Sequence, residues 1–453
     1  MVLPPVAQLK HAIVVTQLAT LHAVTSRHFA AKLNHVEIEY LTHHLNVMIS
    51  SSRKFVPPTA SGSRFGAATL ALAFLAGCSS APIVKPDETK VKQFAGLGYQ
   101  TDDHFGIATT YANWMSGQLD FDISLTVPAK QGPFPLVIYL PALGETRSAG
   151  ETWRTAWAQS GYAVLSVQPL IDDAKVWGSA RALSGDFVLL LRERYSPSVM
   201  MCRIAALQSA LIELSRRHAR REAPLDRIDL SRVAIAGFDV GAYTAMAIAG
   251  ESIRGVPSPA LPFPVKAVIA LSPYADFSGA PFSERYAEMR GPILSVTSDN
   301  DTDALGLVTS PSIRKAPFET MPGGGKYLLT MSGIPHAGMS GGGPRAEPIE
   351  AGGPPGKAEP GQSNADRGRD GGSRSSHRKG GMGGSGSTDG GRMGRDRPGA
   401  GLSPTSLAIS EAAIQGVTTA FLDAYVKDDP IAREWLDKDA SRWLRDRGEI
   451  KHK

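Results

Sequence analysis

The chain has 453 residues, 42% of them hydrophobic and 20% charged, with a formal net charge of +5. That composition supports a packed core but is unevenly spread, so length overstates the folded part. The positive excess lies in scattered Lys and Arg and in a Gly/Arg-rich stretch, without a basic helix interleaved with aromatics, so no nucleic-acid partner is expected. Two cysteines are too few for a disulfide framework.

Six of the eleven histidines (His11, His22, His28, His35, His43 and His44) fall in residues 1–47. This biased segment reads as an upstream extension ahead of a start at Met48. Residues 48–78 then read as a signal peptide: Arg53 and Lys54 precede the apolar run of "GSRFGAATLALAFLAGC", which is too short to span a bilayer as an ordinary helix. Its end, Leu75-Ala76-Gly77-Cys78, resembles a bacterial lipobox. The resemblance implies lipidation of Cys78 and an exported protein held to the cell envelope, in contact with the membrane through a lipid anchor.

Residues 79–118 lead into the fold. From there short apolar runs alternate with helical patterns. Strands are expected at 121–127, 135–141, 162–168, 232–238, 266–272, 292–298 and 326–332. Several are continuous Val/Ile/Leu runs, as expected of strands covered on both faces. Helical periodicity is expected in "GETWRTAWAQSG", in "SVMMCRIAALQSALIELSRRHARRE", in "GAYTAMAIAGE" and in "SEAAIQGVTTAFLDAYVKDD". Cys202, in the second of these, reads as a core residue. The alternation predicts an α/β fold with a doubly wound, mostly parallel sheet over 119–340.

In 341–400, 19 of 60 residues are Gly and large apolar side chains are nearly absent. Such a stretch buries too little surface to offset the entropy of ordering, so 341–404 is expected to be a disordered insertion. A helix over 405–430 is expected to close the core, and 431–453 reads as a charged tail.

The chemistry centres on "RVAIAGFDVGAYTAMAIAG", residues 232–250. A strand feeding Gly-x-[nucleophile]-x-Gly and then a helix is a nucleophile elbow, here with Gly237 and Gly241 flanking Asp239. An elbow of this kind needs an acid and then a histidine downstream. The strand at 292–298 is followed by Asp299, Asp301 and Asp303. The strand at 326–332 is followed by His336, the best placed of the three histidines between 79 and 340; His104 precedes the sheet and His218 sits in a charged helix end. No metal ligand cluster stands out, and "PGGGK" at 322–326 reads as a turn, since it lacks phosphate-loop spacing.

At this point the chain resembles the bacterial dienelactone-hydrolase-like proteins related to platelet-activating factor acetylhydrolases. The likeness covers roughly 100–340 and resumes at 408–430, carried by "LVIYLPALGETRSAGETWRTAWAQSGYAVLSVQP", by "DRIDLSRVAIAGFDVGAYTAMAIAG" and by "APFETMPGGGKYLLTMSGIPHAGMSGG". It implies an α/β-hydrolase fold; only residues 273–291 separate the sixth and seventh expected strands, so no cap domain is expected after the sixth strand. It also implies a small ester or lipid-like substrate, no cofactor, and Asp301 as the acid.

Two departures stand out. The oxyanion turn reads Pro141-Ala142-Leu143-Gly144, leaving the backbone N–H groups of Leu143 and Val240 as candidate oxyanion donors. The elbow carries Asp239 where that family has serine, and a carboxylate has no hydroxyl proton to give. Three readings follow: hydrolysis of esters or lactones with Asp239 at the nucleophile position, a catalytically inactive lipoprotein with a binding role, or an aspartyl nucleophile attacking sp³ carbon as in haloalkane dehalogenases and epoxide hydrolases.

Overall fold

The computed structural model describes residues 84–342 and 402–453, apart from 118, 147, 169–175, 277, 278 and 304. The upstream extension, the signal segment with Cys78 and most of the Gly-rich stretch lie outside the described residues.

The described chain is a mixed α/β structure built on one nine-stranded sheet. Its strands are β1 (Ile107–Ser116), β2 (Leu119–Pro128), β3 (Phe134–Leu140), β4 (Ala163–Gln168), β5 (Ile228–Phe238), β6 (Val265–Leu271), β7 (Ile293–Asn300), β8 (Lys326–Pro335) and β9 (Gly448–His452). They lie in the order β1-β2-β4-β3-β5-β6-β7-β8-β9. Pairing from β4 through β8 is parallel. The β1–β2, β2–β4 and β8–β9 pairs are antiparallel.

The principal helices are α1 (Glu88–Gly96), α2 (Glu151–Gln159), α3 (Phe187–Arg194), α4 (Pro197–Ala219), α5 (Val240–Ile248), α6 (Pro404–Val426), α7 (Pro430–Lys438) and α8 (Ala440–Leu444). They cover both faces of the sheet. Alternate residues of the central strands serve opposite layers, as the two-residue side-chain period of a strand requires. Val137, Tyr139, Ala236 and Val296 pack with Trp153 and Trp157 of α2 and Phe421 of α6. Leu136, Ile138, Ile235 and Val268 pack with Leu207 and Leu211 of α4 and Met246 of α5. Each fully buried Leu or Ile in these layers contributes roughly 1.5–3 kcal/mol relative to exposure.

Helix α4 begins at a Ser196 cap with Pro197 in its first turn, the pairing that satisfies one orphan N–H and dispenses with another. It buries Met200, Arg203, Ile204, Leu207, Ala210, Leu211 and Leu214, a stripe at three- and four-residue spacing. Cys202 falls off that stripe and is exposed, which corrects its assignment to the core. By length and composition α4 also meets the test for a bilayer-crossing helix, but half of its most apolar window is buried in this fold.

The sequence patterns do not mark β1 or β9. Each is an edge strand: β1 buries only Trp114 and β9 only Ile450, so neither carries an apolar run. The segment 431–453, expected to be a tail, instead forms most of α7, then α8 and β9.

Candidate active site

The ends of β5, β7 and β8 deliver three side chains to one place above the sheet. Strand β5 ends at Phe238 and α5 starts at Val240, so Asp239 alone makes the turn, at φ 55° and ψ −113°. This conformation is rare for a residue with a Cβ and stores strain of order 1–3 kcal/mol. Two backbone hydrogen bonds hold it: Asp239 N donates to the Leu271 carbonyl and Tyr243 N to the Asp239 carbonyl, both at 3.0 Å. Gly237 and Gly241 serve close approach. A Cβ on Gly237 would overlap the Gly241 backbone, and one on Gly241 would overlap the Leu140 carbonyl.

His336 opens a single helical turn directly after β8. The Phe238 ring lies 5.0 Å from the imidazole, and the Trp153 indole donates to the Met339 carbonyl at 3.1 Å, tying the histidine turn to α2. His336 Nε2 stands 3.8 Å from Asp239 Oδ1, while Nδ1 lies 2.7 Å from Asp301 Oδ1. Asp239 and His336 are 20% and 18% exposed, whereas Asp301 is fully buried.

Of the three aspartates after β7, Asp301 reaches the histidine. Asp299 accepts from the Gly333 amide and Asp303 from the amides of Leu305 and Leu307, both shaping loops. Burial pushes the Asp301 carboxyl up, but the hydrogen bond with His336, the Arg314 guanidinium and the Thr297 hydroxyl together hold it below the usual carboxylate value. Thr297 Oγ1 donates to Asp301 Oδ2 at 2.8 Å.

Arg314 was not foreseen in the sequence, where it reads as an ordinary basic residue in "SIRKAP". It is 1% exposed, with Nε 3.0 Å from the Asp301 carbonyl oxygen and 3.3 Å from Asp301 Oδ1. Its Nη1 donates to the carbonyls of Ser272 and Pro273 at 2.9 and 3.3 Å, and Nη2 lies 3.4 Å from His336 Nδ1. The guanidinium thus pins the acid loop to the end of β6.

Above the elbow lies a cover made by Val176–Tyr195, between β4 and α4. Its Leu190, Leu191 and Tyr195 form a third apolar cluster with Leu143, Val240, Tyr243 and Tyr274. The two candidate oxyanion residues therefore share one buried neighbourhood. Val240 is the first residue of α5, where amide donors have no acceptor within the helix. Gly144, at φ 72°, lies against the Trp177 indole so closely that a Cβ there would overlap it. The Tyr195 phenol lies in this cluster; burial first, then the nearby Asp239 charge, pushes it well above its ordinary value.

The other histidines serve elsewhere: His218 Nε2 lies 2.9 Å from the Ile228 carbonyl, and His104 is exposed. Among the described residues no group of three or more His, Cys, Asp or Glu is arranged to hold a metal. A groove of about 510 Å³ between α1, α7 and α8, lined by Phe94, Trp435 and Trp443, contains none of these titratable site groups.

No protein-family model matches the chain, and no curated protein matches it. The class is therefore defined by the fold and site alone: a mixed α/β protein whose mostly parallel sheet carries an Asp239–His336–Asp301 line at the C-terminal ends of its strands. Open α/β sheets bind and transform ligands at those ends.

Proposed function

We propose that the chain is an α/β hydrolase that cleaves carboxylic esters or lactones by adding a water activated by His336 beside Asp239. Support comes from the order of the parts: elbow after β5, acid after β7, histidine after β8, the sequence such a hydrolase requires. The carrying observation is the 3.8 Å between His336 Nε2 and Asp239 Oδ1. That is too long for a direct hydrogen bond and short enough for one water to contact both atoms.

In this reading the water oxygen attacks the substrate carbonyl as its proton passes to His336 Nε2, and Asp301 stabilises the imidazolium through Nδ1. The carbonyl π-pair moves to oxygen, and the Val240 and Leu143 backbone N–H groups donate hydrogen bonds to that oxyanion. Collapse breaks the acyl–oxygen bond, and the alkoxide takes the proton from His336, giving acid and alcohol. Asp239 holds the water. Its negative charge also opposes the oxyanion, so turnover is slower than with a serine elbow.

The test is hydrolysis of p-nitrophenyl butyrate by the full chain, with His336→Ala and Asp239→Ser beside it, followed by turnover in ¹⁸O-water. The expected result is activity that His336→Ala abolishes, with label in the released acid and none in the Asp239 carboxylate. Label in Asp239 would replace water addition by aspartyl attack. Activity only in Asp239→Ser would mean a silenced scaffold with a binding role.

A further inference from the structure

We propose that the groove between α1, α7 and α8 is a binding site for a small organic anion with a flat apolar body, an aromatic carboxylate, whose charge is taken by Arg445. The inference stands apart from the hydrolase reading, because the groove shares no residue with the elbow, the acid loop or the histidine turn. Its volume of about 510 Å³ lies in the range of small-molecule sites.

Three observations carry it. The first is an aromatic wall that is already built. The Trp443 ring packs so closely on Gly98 and Gly416 that a Cβ at either position would overlap it, and its indole N–H donates to the Phe94 carbonyl at 3.0 Å. Phe94 stacks on that ring with centroids 4.6 Å apart, and the Trp435 ring lies 5.5 Å away. With its N–H spent on the backbone, Trp443 offers the groove apolar ring surface.

The second is charge. Asp439 is the only acidic side chain lining the groove among the described residues, and Arg442 takes it in an ion pair. Among the described residues no hydrogen bond or ion pair occupies the Arg445 guanidinium, and the adjacent Asp446 lies 3.8 Å from Arg447 instead. An uncompensated guanidinium beside aromatic rings complements a carboxylate on an apolar body, whose two oxygens match its planar fork. The third is the backbone of Arg445, at φ 50° and ψ −120°. Glycine is the default residue for that conformation, the first central position of a type II′ turn. A guanidinium is held at the groove despite this local preference, and such outliers cluster where ligands bind.

The probes are cinnamate and cinnamyl alcohol, the same flat body with and without the charge, each titrated calorimetrically into the full chain and into Arg445→Gly, Trp435→Ala and His336→Ala. The native chain is expected to bind cinnamate about tenfold more tightly than the alcohol, the worth of one charge-assisted contact. Arg445→Gly should remove that preference with a melting temperature no lower than native, which separates loss of the ligand contact from loss of fold. Trp435→Ala should weaken both probes, and His336→Ala should change neither. Failure of cinnamate to bind, or a preference for the anion that persists in Arg445→Gly, would overturn the proposal. Binding lost in His336→Ala would locate the probe at the elbow and overturn it as well.

Discussion

Replacing Arg314 by Leu tests whether the acid loop is built as described. The side chain is 1% exposed and is the only cation that directly contacts Asp301 among the described ion pairs, apart from His336. Its loss leaves a fully buried carboxylate without its guanidinium and takes donors from the carbonyls of Asp301, Ser272 and Pro273. Breaking a buried pair by removing one partner costs about 3–5 kcal/mol; the lost carbonyl donors belong to the same event and are not added again. The pH dependence has a definite sign. Asp301 is held below its ordinary value, so the stability it contributes is fully present above the ordinary value of 3.8 and is lost as pH falls through the lower folded-state value. Arg314 is one cause of that lowering, so in Arg314→Leu the acid limb of the stability curve moves to higher pH. Urea denaturation at several pH values measures both effects. A loss below about 1 kcal/mol near neutral pH, with the acid limb unmoved, would show that the guanidinium does not support Asp301 as argued.

Further expectations follow from the same geometry. Gly241→Ala places a methyl group on the Leu140 carbonyl, so the strand–turn–helix must shift; thermal unfolding should show a loss on the order of 1–3 kcal/mol or more. Burial pushes the Glu251 carboxyl up to about 7 against the pull of Arg285. The folded state then keeps a proton that the unfolded chain releases near 4.5, so this group makes stability fall as pH rises from 4.5 toward 7. Glu251→Gln should flatten that slope in denaturant titrations. The lipobox reading predicts that Cys78→Ala moves the protein from the membrane to the soluble fraction and abolishes labelling by a radioactive fatty acid. An unchanged distribution would dismiss the anchor.

The central sheet was legible because its strands are continuous apolar runs. Leu136–Leu140 and Ala234–Phe238 bury every residue, so the pattern that hides them from water is written at each position. The elbow was legible for a different reason: close backbone approach at Gly237 and Gly241 admits no side chain, and that constraint appears as glycine in the sequence. His336 followed from chain order among few histidines. Arg314 left no such trace. Its role depends on a loop folding back across the ends of β6 and β7, and nothing near it in the chain marks that contact. The cover Val176–Tyr195 is similar: it packs against Leu143 and Val240, and its sequence has no regular apolar period. Edge strands β1 and β9 escaped because one buried residue each cannot make a pattern.

The tip of the elbow is the position where the fold constrains chemistry least. Its backbone is fixed by the glycines and by hydrogen bonds through Asp239 N and O, neither of which depends on the side chain, so serine or aspartate can occupy it without changing the scaffold. The surroundings are more demanding. A buried Asp301–Arg314 pair is a poor way to gain stability, since well-packed apolar residues commonly do as well or better. What the pair does supply is a carboxylate held at 2.7 Å from His336 Nδ1, and the histidine's other nitrogen then faces Asp239. A strand–helix connection without chemistry would need neither the buried acid nor the histidine beside the tip, and their joint presence is what supports the hydrolase proposal.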